Sequence, residues 1–566
     1  MSNYSAFSSL DNKLVDLINH SYTSNPVYFE KFSGTPENYL EINTLYDLLK
    51  VNYKYFGIAK QIRENLILCL RQDVNPYAGI IGYDDDVIPA INRAILSGHD
   101  FVLVGQIGQA KTKIAETIAS TLLSPIPVVR GTNTNDIPTE IPANHLVCLL
   151  EDRDIERISP EFVVSKECED IIRNNGLDTK IDWIDGSKRY RYILATPDIS
   201  VKDLVGQVDA IKIAKKGLET YDIGTYSPGQ LLQARHGILC IDELPVLDTR
   251  KQVSLLSVLQ EGKFTTGAYP VYFKPDVKII STANPIDYTH SGKIIEPLFD
   301  RIKSHINTHY PINIYDEMLI MIQEAKIYSP YYVIIPYFIL KAICTVTHIA
   351  RNSSDVNQDK GVSVRMSVHG LEVIVSEAER IRSIKHNIKT IPRFSDLFSI
   401  YQTSKFELSD LDDNSENRFR FLNSFIEKSI KNISLEYVQK IPANLINQIK
   451  EDFSKNKTFF VSQSLLGSSD SLHHDNDALD YNTQLSNYPS LHNAIENIIN
   501  PILNNETNVF TTSIKNLKID LHGLEFFVDN DKEFRASVVE LILEGLRNME
   551  NPIITKKDIN TYQSSS

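Results

Sequence analysis

Three short segments constrain this chain more than anything else in its 566 residues: VGQIGQAKT (Val104–Thr112), ILCIDE (Ile238–Glu243) and STANP (Ser281–Pro285). Each follows or forms an apolar run of strand-like composition, around Phe101–Val104, Ile238–Ile241 and Val277–Ile280. A buried strand that ends in polar residues delivers them to the carboxyl edge of a sheet, where open parallel sheets bind their ligands. Any one of the three would be a weak signal, and together they describe one site.

The first segment reads as a phosphate cradle. Gly105-Gln106-Ile107-Gly108-Gln109-Ala110-Lys111-Thr112 fits the pattern G-x-x-x-x-G-K-S/T except that Ala110 stands where glycine is usual. Small residues let backbone N–H groups approach phosphate oxygens, and the N-terminus of the following helix favours their charge. Lys111 is expected to reach the β- and γ-phosphates of ATP, Thr112 to place its hydroxyl on Mg²⁺, and Lys113 to follow in the same first turn. The Ala110 methyl fits if that residue has a negative, helix-like φ, and crowds the phosphate otherwise.

The second segment ends a strand on two acids. Asp242 is expected to hold Mg²⁺ through water, and Glu243 to orient and polarise an attacking water. The third ends on Asn284, whose amide can bond both a γ-phosphate and that water, although an Asn-Pro pair also marks ordinary turns. Further on, Arg301 ends the segment EPLFDR, and Arg365 opens a helix after VSV. An arginine exposed at a subunit edge could reach a neighbour's γ-phosphate, as Arg301 would; Arg365 could touch ATP from a lid. This set of residues reads as an ATP-hydrolysing machine.

The rest of the chain is compatible with that reading. It is 42% hydrophobic and 23% charged, as soluble globular proteins are. Its net charge of −14 gives no global pull towards nucleic acid or anionic membrane. No apolar run is long enough to span a bilayer, and the start MSNYSAFSSLDNK lacks the basic and apolar parts of a secretory signal. Five scattered cysteines, never in CxxC spacing, favour reduced thiols and a cytoplasmic setting.

The pattern along the chain predicts an α/β fold: a parallel sheet flanked by helices, followed by a helical lid and a mostly helical C-terminal region. The expected boundaries are 1–77 for an N-terminal helical segment, 78–311 for the α/β core, 312–405 for the lid and 406–566 for the rest. Strands are expected at Phe101–Val104, Ile126–Val129, Tyr192–Ala195, Ile238–Ile241 and Val277–Ile280, with a hairpin at Phe264–Phe273. Helices are expected at Lys111–Leu123, Thr249–Gln260, Tyr315–Ala325, Tyr337–Ala350 and Met366–Ile384. The stretch 131–190 reads as an insertion of mixed character. Ser468–Ser490 is polar and reads as a flexible loop, in which His473 and His474 are expected to be solvated rather than metal-binding. The tail TYQSSS is expected to be disordered.

With these residues in hand the chain resembles AAA+ ATPases, and more closely the branch of the MoxR-type ATPases and the magnesium-chelatase I subunit. The segments that carry the resemblance are IIGYDDDVIPAINRAILSGHDFVLVGQIGQAKTKIAETIA, LATPDISVKDLVGQVDAIKI, RHGILCIDELPVLDTRKQVSLLSVLQEGKFTTG, VKIISTANPIDYT, IIEPLFDRI and VSVRMS, within about residues 78–405. The resemblance implies that Gly105 to Thr112 are Walker A, Asp242 and Glu243 Walker B, Asn284 sensor 1, Arg301 the arginine finger and Arg365 sensor 2. It implies that Ile81 and Gly82 pack adenine. It also implies a helix-2 insert at Leu204–Gly224 and a pre-sensor-1 hairpin at Lys263–Lys274, and it makes alanine before the lysine less unusual.

The function implied is Mg²⁺-dependent ATP hydrolysis by a homo-oligomeric, hexameric ring that remodels or activates a partner protein, one bearing a von Willebrand A domain. The alternatives are a motor subunit driving metal insertion into a tetrapyrrole, and a nucleic-acid motor using Lys212, Lys215, Lys216, Lys263 and Lys274. The acidic balance of the chain weighs against nucleic acid.

Overall fold

Four-residue runs that are apolar throughout can be satisfied only inside a sheet covered on both faces. In the computed structural model, Phe101, Val102 and Leu103 are fully buried, as are Ile238 through Ile241. The structure describes residues 12–24, 34–155, 161–209, 211, 213–214, 226–261, 264–265, 272–273, 275–285, 294–409, 413–456, 458–461, 478–521, 523–558 and 561–565. These form two units, one of residues 1–106 and 110–308, the other of 107–109 and 309–566.

The first unit is built on five strands: β1 (Phe101–Val104), β2 (Tyr190–Leu194), β3 (Ile238–Asp242), β4 (Lys278–Ala283) and β5 (Ser304–Asn307). Their spatial order is β5-β1-β4-β3-β2, and every neighbouring pair is parallel. This is the α/β, P-loop type of sheet, flanked by helices. One face carries helix Ile58–Arg71, helix Val87–Leu96 and α1 (Lys111–Leu122), through Ile62, Leu66, Ile91, Ile114 and Ile118. The other is covered by Leu204, Leu231, Leu244, Leu255 and Leu298. The apolar face expected of α1, namely Ile114, Ala115, Ile118, Ala119 and Leu122, is the buried one. Gly237 precedes β3 where a Cβ would collide with the Arg189 carbonyl, so only glycine lets β2 and β3 start side by side.

Ile126–Val129 is a strand, but it lies outside the five-stranded sheet. It pairs antiparallel with Ile181–Ile184. The stretch 131–190, unreadable in the sequence, contains helices Ala143–Leu150 and Lys166–Asn175. Their apolar faces share a core with Ile18, Leu45 and Leu49 from the N-terminal helices. Of the expected helix-2 insert, Gly206–Val208 pairs antiparallel with Tyr226–Pro228. Of the hairpin, Phe264–Thr265 pairs with Tyr272–Phe273. Lys212, Lys215, Lys216, Lys263 and Lys274 lie outside the described residues, as do His473 and His474.

The second unit is mostly helical. It includes α2 (Ile314–Glu324), α3 (Tyr337–Arg351) and α4 (Arg365–Ala378), the last passing into a π-helical turn at Glu379–Ser383 rather than running unbroken to Ile384. Two expectations are corrected here. Within Ser468–Ser490 the described part is not a loop: Ala478–Leu485 is a helix, and Tyr481, Leu485 and Tyr488 are buried. Tyr481 and Leu485, four residues apart, share one face of that helix, and Tyr488 caps the next one. Nor is the tail disordered. Thr561–Ser564 pairs with Thr458–Phe460 and with Ile554–Asp558 in a three-stranded antiparallel sheet, anchored by buried Tyr562.

A buried ion cluster ties the second unit together. Glu317 on α2 is fully buried and is gripped by Arg351 at 2.5 and 3.1 Å, by His348 at 2.9 Å and by the Ser367 hydroxyl. Burial pushes its carboxyl up, but His348, Arg351 and Ser367 more than reverse this and hold it below the usual 4.5.

Candidate nucleotide site

The site begins where β1 runs out. The Gly105 N–H donates to the Ala283 carbonyl at 3.0 Å, tying the start of the cradle to the end of β4. Val104 is held on its other side, where its carbonyl accepts from the Thr308 N–H at 2.8 Å. Lys111 opens α1, and its ammonium donates to the Gln106 carbonyl at 2.8 Å and to that of Gly105. Burial lowers the Lys111 pKa to about 8, against the pull of Asp242 and Glu243, which favour the charged form. The ammonium group therefore lies within electrostatic reach of both acids, although 131 residues of chain part it from Asp242. Thr112 and Lys113 follow it, each half-buried.

Ala110 does not meet the condition under which its methyl fits easily. It caps α1 with φ 53° and ψ 16°, a left-handed conformation. An L-residue with a Cβ pays for this sterically, which is why glycine is usual there. In the same turn Gly108 has φ 81°. Ile107 is exposed and Gln109 buried.

Asp242 is the last residue of β3, and Glu243 turns the chain away from the sheet with φ 56° and ψ 45°. A non-glycine residue in this region is uncommon and marks a position that its surroundings over-determine. One of those surroundings is Thr282, fully buried on β4. The register that sets Ser281 against Ile241 brings Thr282 beside Asp242. The Thr282 hydroxyl donates to Asp242 Oδ1 and accepts the Glu243 N–H at 3.0 Å. From the other neighbouring strand, β2, the Tyr192 hydroxyl donates to Asp242 Oδ2 at 2.9 Å. Burial and this bond push Tyr192 up to about 12. Neither residue was singled out in the sequence. A threonine near the end of the strand-like run KIISTA was the available signal, because a buried hydroxyl needs a partner.

Asn284 follows β4 directly and is half-buried. Arg301 ends helix Glu296–Arg301; its side chain is 39% exposed and pairs with Asp300 at 2.5 Å. Ile81 and Gly82 lie ahead of helix Val87–Leu96, half-buried, with Gly82 at φ 80°. Arg365 belongs to the second unit, where it is exposed at the start of α4 and its N–H donates to the Ser363 hydroxyl at 3.2 Å.

The Thr112 hydroxyl and the Asp242 carboxylate are hard oxygen donors. Mg²⁺ suits such a set, since it takes one or two protein oxygens together with water and substrate phosphates. Lys111 at the start of α1, with the charges of Asp242 and Glu243 acting on it, makes a set that can bind a magnesium nucleotide and direct a water at it.

Residues 222–307 match the family described as the Sigma-54 interaction domain. That span contains β3, β4, β5, Asp242, Glu243, Asn284 and Arg301. The strand order and the parallel pairing are those of a P-loop α/β domain.

Among solved structures, NtrX from Brucella abortus is similar at 14% identity and a TM-score of 0.28, over 54% of each chain. The chain thus spans about half the length of that relative. A complex of the BchI and BchD subunits of magnesium chelatase is similar at 15% identity and a TM-score of 0.31, over 61% of this chain and 98% of that one. Hsp104 with ATPγS and casein is similar at 16% identity and a TM-score of 0.32, over 57% and 48%. With scores this low, the case for the fold stays with the sheet order and the site.

Proposed function

We propose that this chain is a ring-forming ATPase that uses hydrolysis to remodel or activate a partner protein in the cytoplasm. One observation carries the reading: the Gly105 N–H that opens the cradle bonds Ala283, and the residue before it, Thr282, bonds both the Asp242 carboxylate and the Glu243 N–H. In this reading Gly105 to Lys113 cradle the phosphates, and Lys111 neutralises the β- and γ-oxygens. Thr112 and Asp242 hold Mg²⁺, and Glu243 polarises the lytic water. Asn284 orients that water against the γ-phosphate. Ile81 and Gly82 pack the base. Arg301, partly exposed, serves the site of the adjoining copy. Arg365 reaches the nucleotide from the lid. The proposed division is 1–77, 78–311, 312–405 and 406–566.

A partner with a von Willebrand A domain, and the MoxR-like role, are proposed from the sequence resemblance. Metal insertion into a tetrapyrrole is the second reading, favoured by the same resemblance to the magnesium-chelatase I subunit. Among the described residues no helix is long and apolar enough to cross a membrane.

Glu243→Gln tests the reading. The variant should bind ATP as the parent does while phosphate release falls by about 100-fold or more, the scale of a lost general base. Turnover at the parental rate removes Glu243 from the reaction. The same variant, loaded with ATP, should retain its partner in a pull-down, and the nature of that partner separates the two readings.

A further inference from the structure

Asp242 is held at both ends of its carboxylate, by strands on opposite sides of β3. Thr282 on β4 donates to Oδ1, and Tyr192 on β2 donates to Oδ2 at 2.9 Å. A threonine hydroxyl has one hydrogen to give and lone pairs to accept with. Thr282 uses both, giving its hydrogen to Asp242 and accepting the Glu243 N–H at 3.0 Å. A single buried oxygen is thus bonded to both acids. It also satisfies the amide of a residue whose backbone is left-handed, at φ 56°. Tyr192 does a narrower job. It lies on the edge strand of the sheet, is 47% exposed, and touches Asp242 alone among the two acids through its hydrogen bond.

We propose that Thr282 and Tyr192 are positioning residues for the magnesium carboxylate, and that Thr282 also fixes the backbone of Glu243, so that metal and lytic water are set by one hydroxyl. The proposal rests on the assignment of Asp242 to Mg²⁺ given above. Partners of a metal-binding carboxylate fix its orientation, and their removal typically weakens the metal by about 10–100-fold. Thr282 faces the core and meets both acids, so its loss should have the larger effect.

The test is the Mg²⁺ dependence of ATPγS binding to the full chain, measured by titration calorimetry, which needs no turnover. Thr282→Val keeps the shape and loses the hydroxyl. It should raise the half-saturating Mg²⁺ concentration by about 10–100-fold, and Tyr192→Phe by about 10-fold. Thr282→Ser keeps the hydroxyl and should stay close to the parent. Hydrogen exchange at the Glu243 amide should quicken in Thr282→Val and not in Tyr192→Phe, since only threonine bonds that amide. An unchanged Mg²⁺ midpoint in Thr282→Val overturns the proposal. So does a Thr282→Ser variant as impaired as the valine one, because packing would then explain both. Should Thr282→Val not fold, Tyr192→Phe decides, since it removes one oxygen from a half-exposed edge, and no change there overturns the proposal. Parental binding that is indifferent to Mg²⁺ instead fails the assignment of Asp242 itself.

Discussion

Ala110 and Glu243, assigned to the proposed nucleotide site, are both left-handed. For Ala110 the strain has a simple remedy. Ala110→Gly removes the Cβ that clashes at φ 53° and should stabilise the first unit by about 1 kcal/mol, part of it offset by the greater freedom of glycine when unfolded. Urea unfolding of the two proteins measures this, and a less stable glycine variant would show that the methyl group makes a contact worth more than the strain. The cradle and the acids were legible in the sequence because each is a contiguous segment whose neighbours fix its context. Thr282 and Tyr192 were not. They stand 40 and 50 positions from Asp242 along the chain, and the register of three strands brings them together.

At the scale of elements, β1, β3 and β4 could be read because burial on both sides leaves a run of apolar residues, whereas β5 (Ser304–Asn307), with one buried residue in four, was not read. The stretch 131–190 could not. Its helices present apolar faces whose complement lies far off in sequence, at Ile18, Leu45 and Leu49. Ala478–Leu485 was missed for a related reason: its three buried residues, counting Tyr488, are diluted by polar ones, so local composition suggests a loop. In the second unit, α2, α3 and α4 are joined through Glu317, and this makes a pH prediction. The folded carboxyl titrates below 4.5, its value in an unfolded chain. Its contribution is therefore present above pH 4.5 and is lost as pH falls through the folded value. Unfolding by urea should show acid weakening in that window. Glu317→Gln should flatten it and cost about 3–5 kcal/mol at pH 7, since Arg351 is left buried without its counter-charge. Equal pH slopes for parent and variant would assign the acid sensitivity elsewhere.

At the scale of the whole molecule, the active site is proposed to be shared between copies, and Arg301 is the residue on which that can be measured. Its side chain is 39% exposed and, among the described residues, its ion-pair partner is the adjacent Asp300. Arg301→Ala should lose activity by roughly 10³-fold, the low end for an arginine supplied in trans. Mixed with Glu243→Gln, it should recover part of it, because one protein retains the arginine and the other the water-activating acid. An inactive mixture that nonetheless co-assembles would place Arg301 in its own chain's site. The fold class could be inferred from sequence because it rests on local patterns, whereas the ring was expected from the resemblance alone, because no single segment encodes a neighbour.

The apolar core shared by the N-terminal helices and the stretch 131–190 has a practical corollary. A shortened protein starting at residue 78, the proposed edge of the ATPase module, would strip away Ile18, Leu45 and Leu49 and leave Val129, Leu146 and Ile172 wetted. Such a fragment should precipitate on expression even though every motif that handles nucleotide is present in it. The opening helices are thus a cover slip for the first unit, and its smallest soluble version has to carry them.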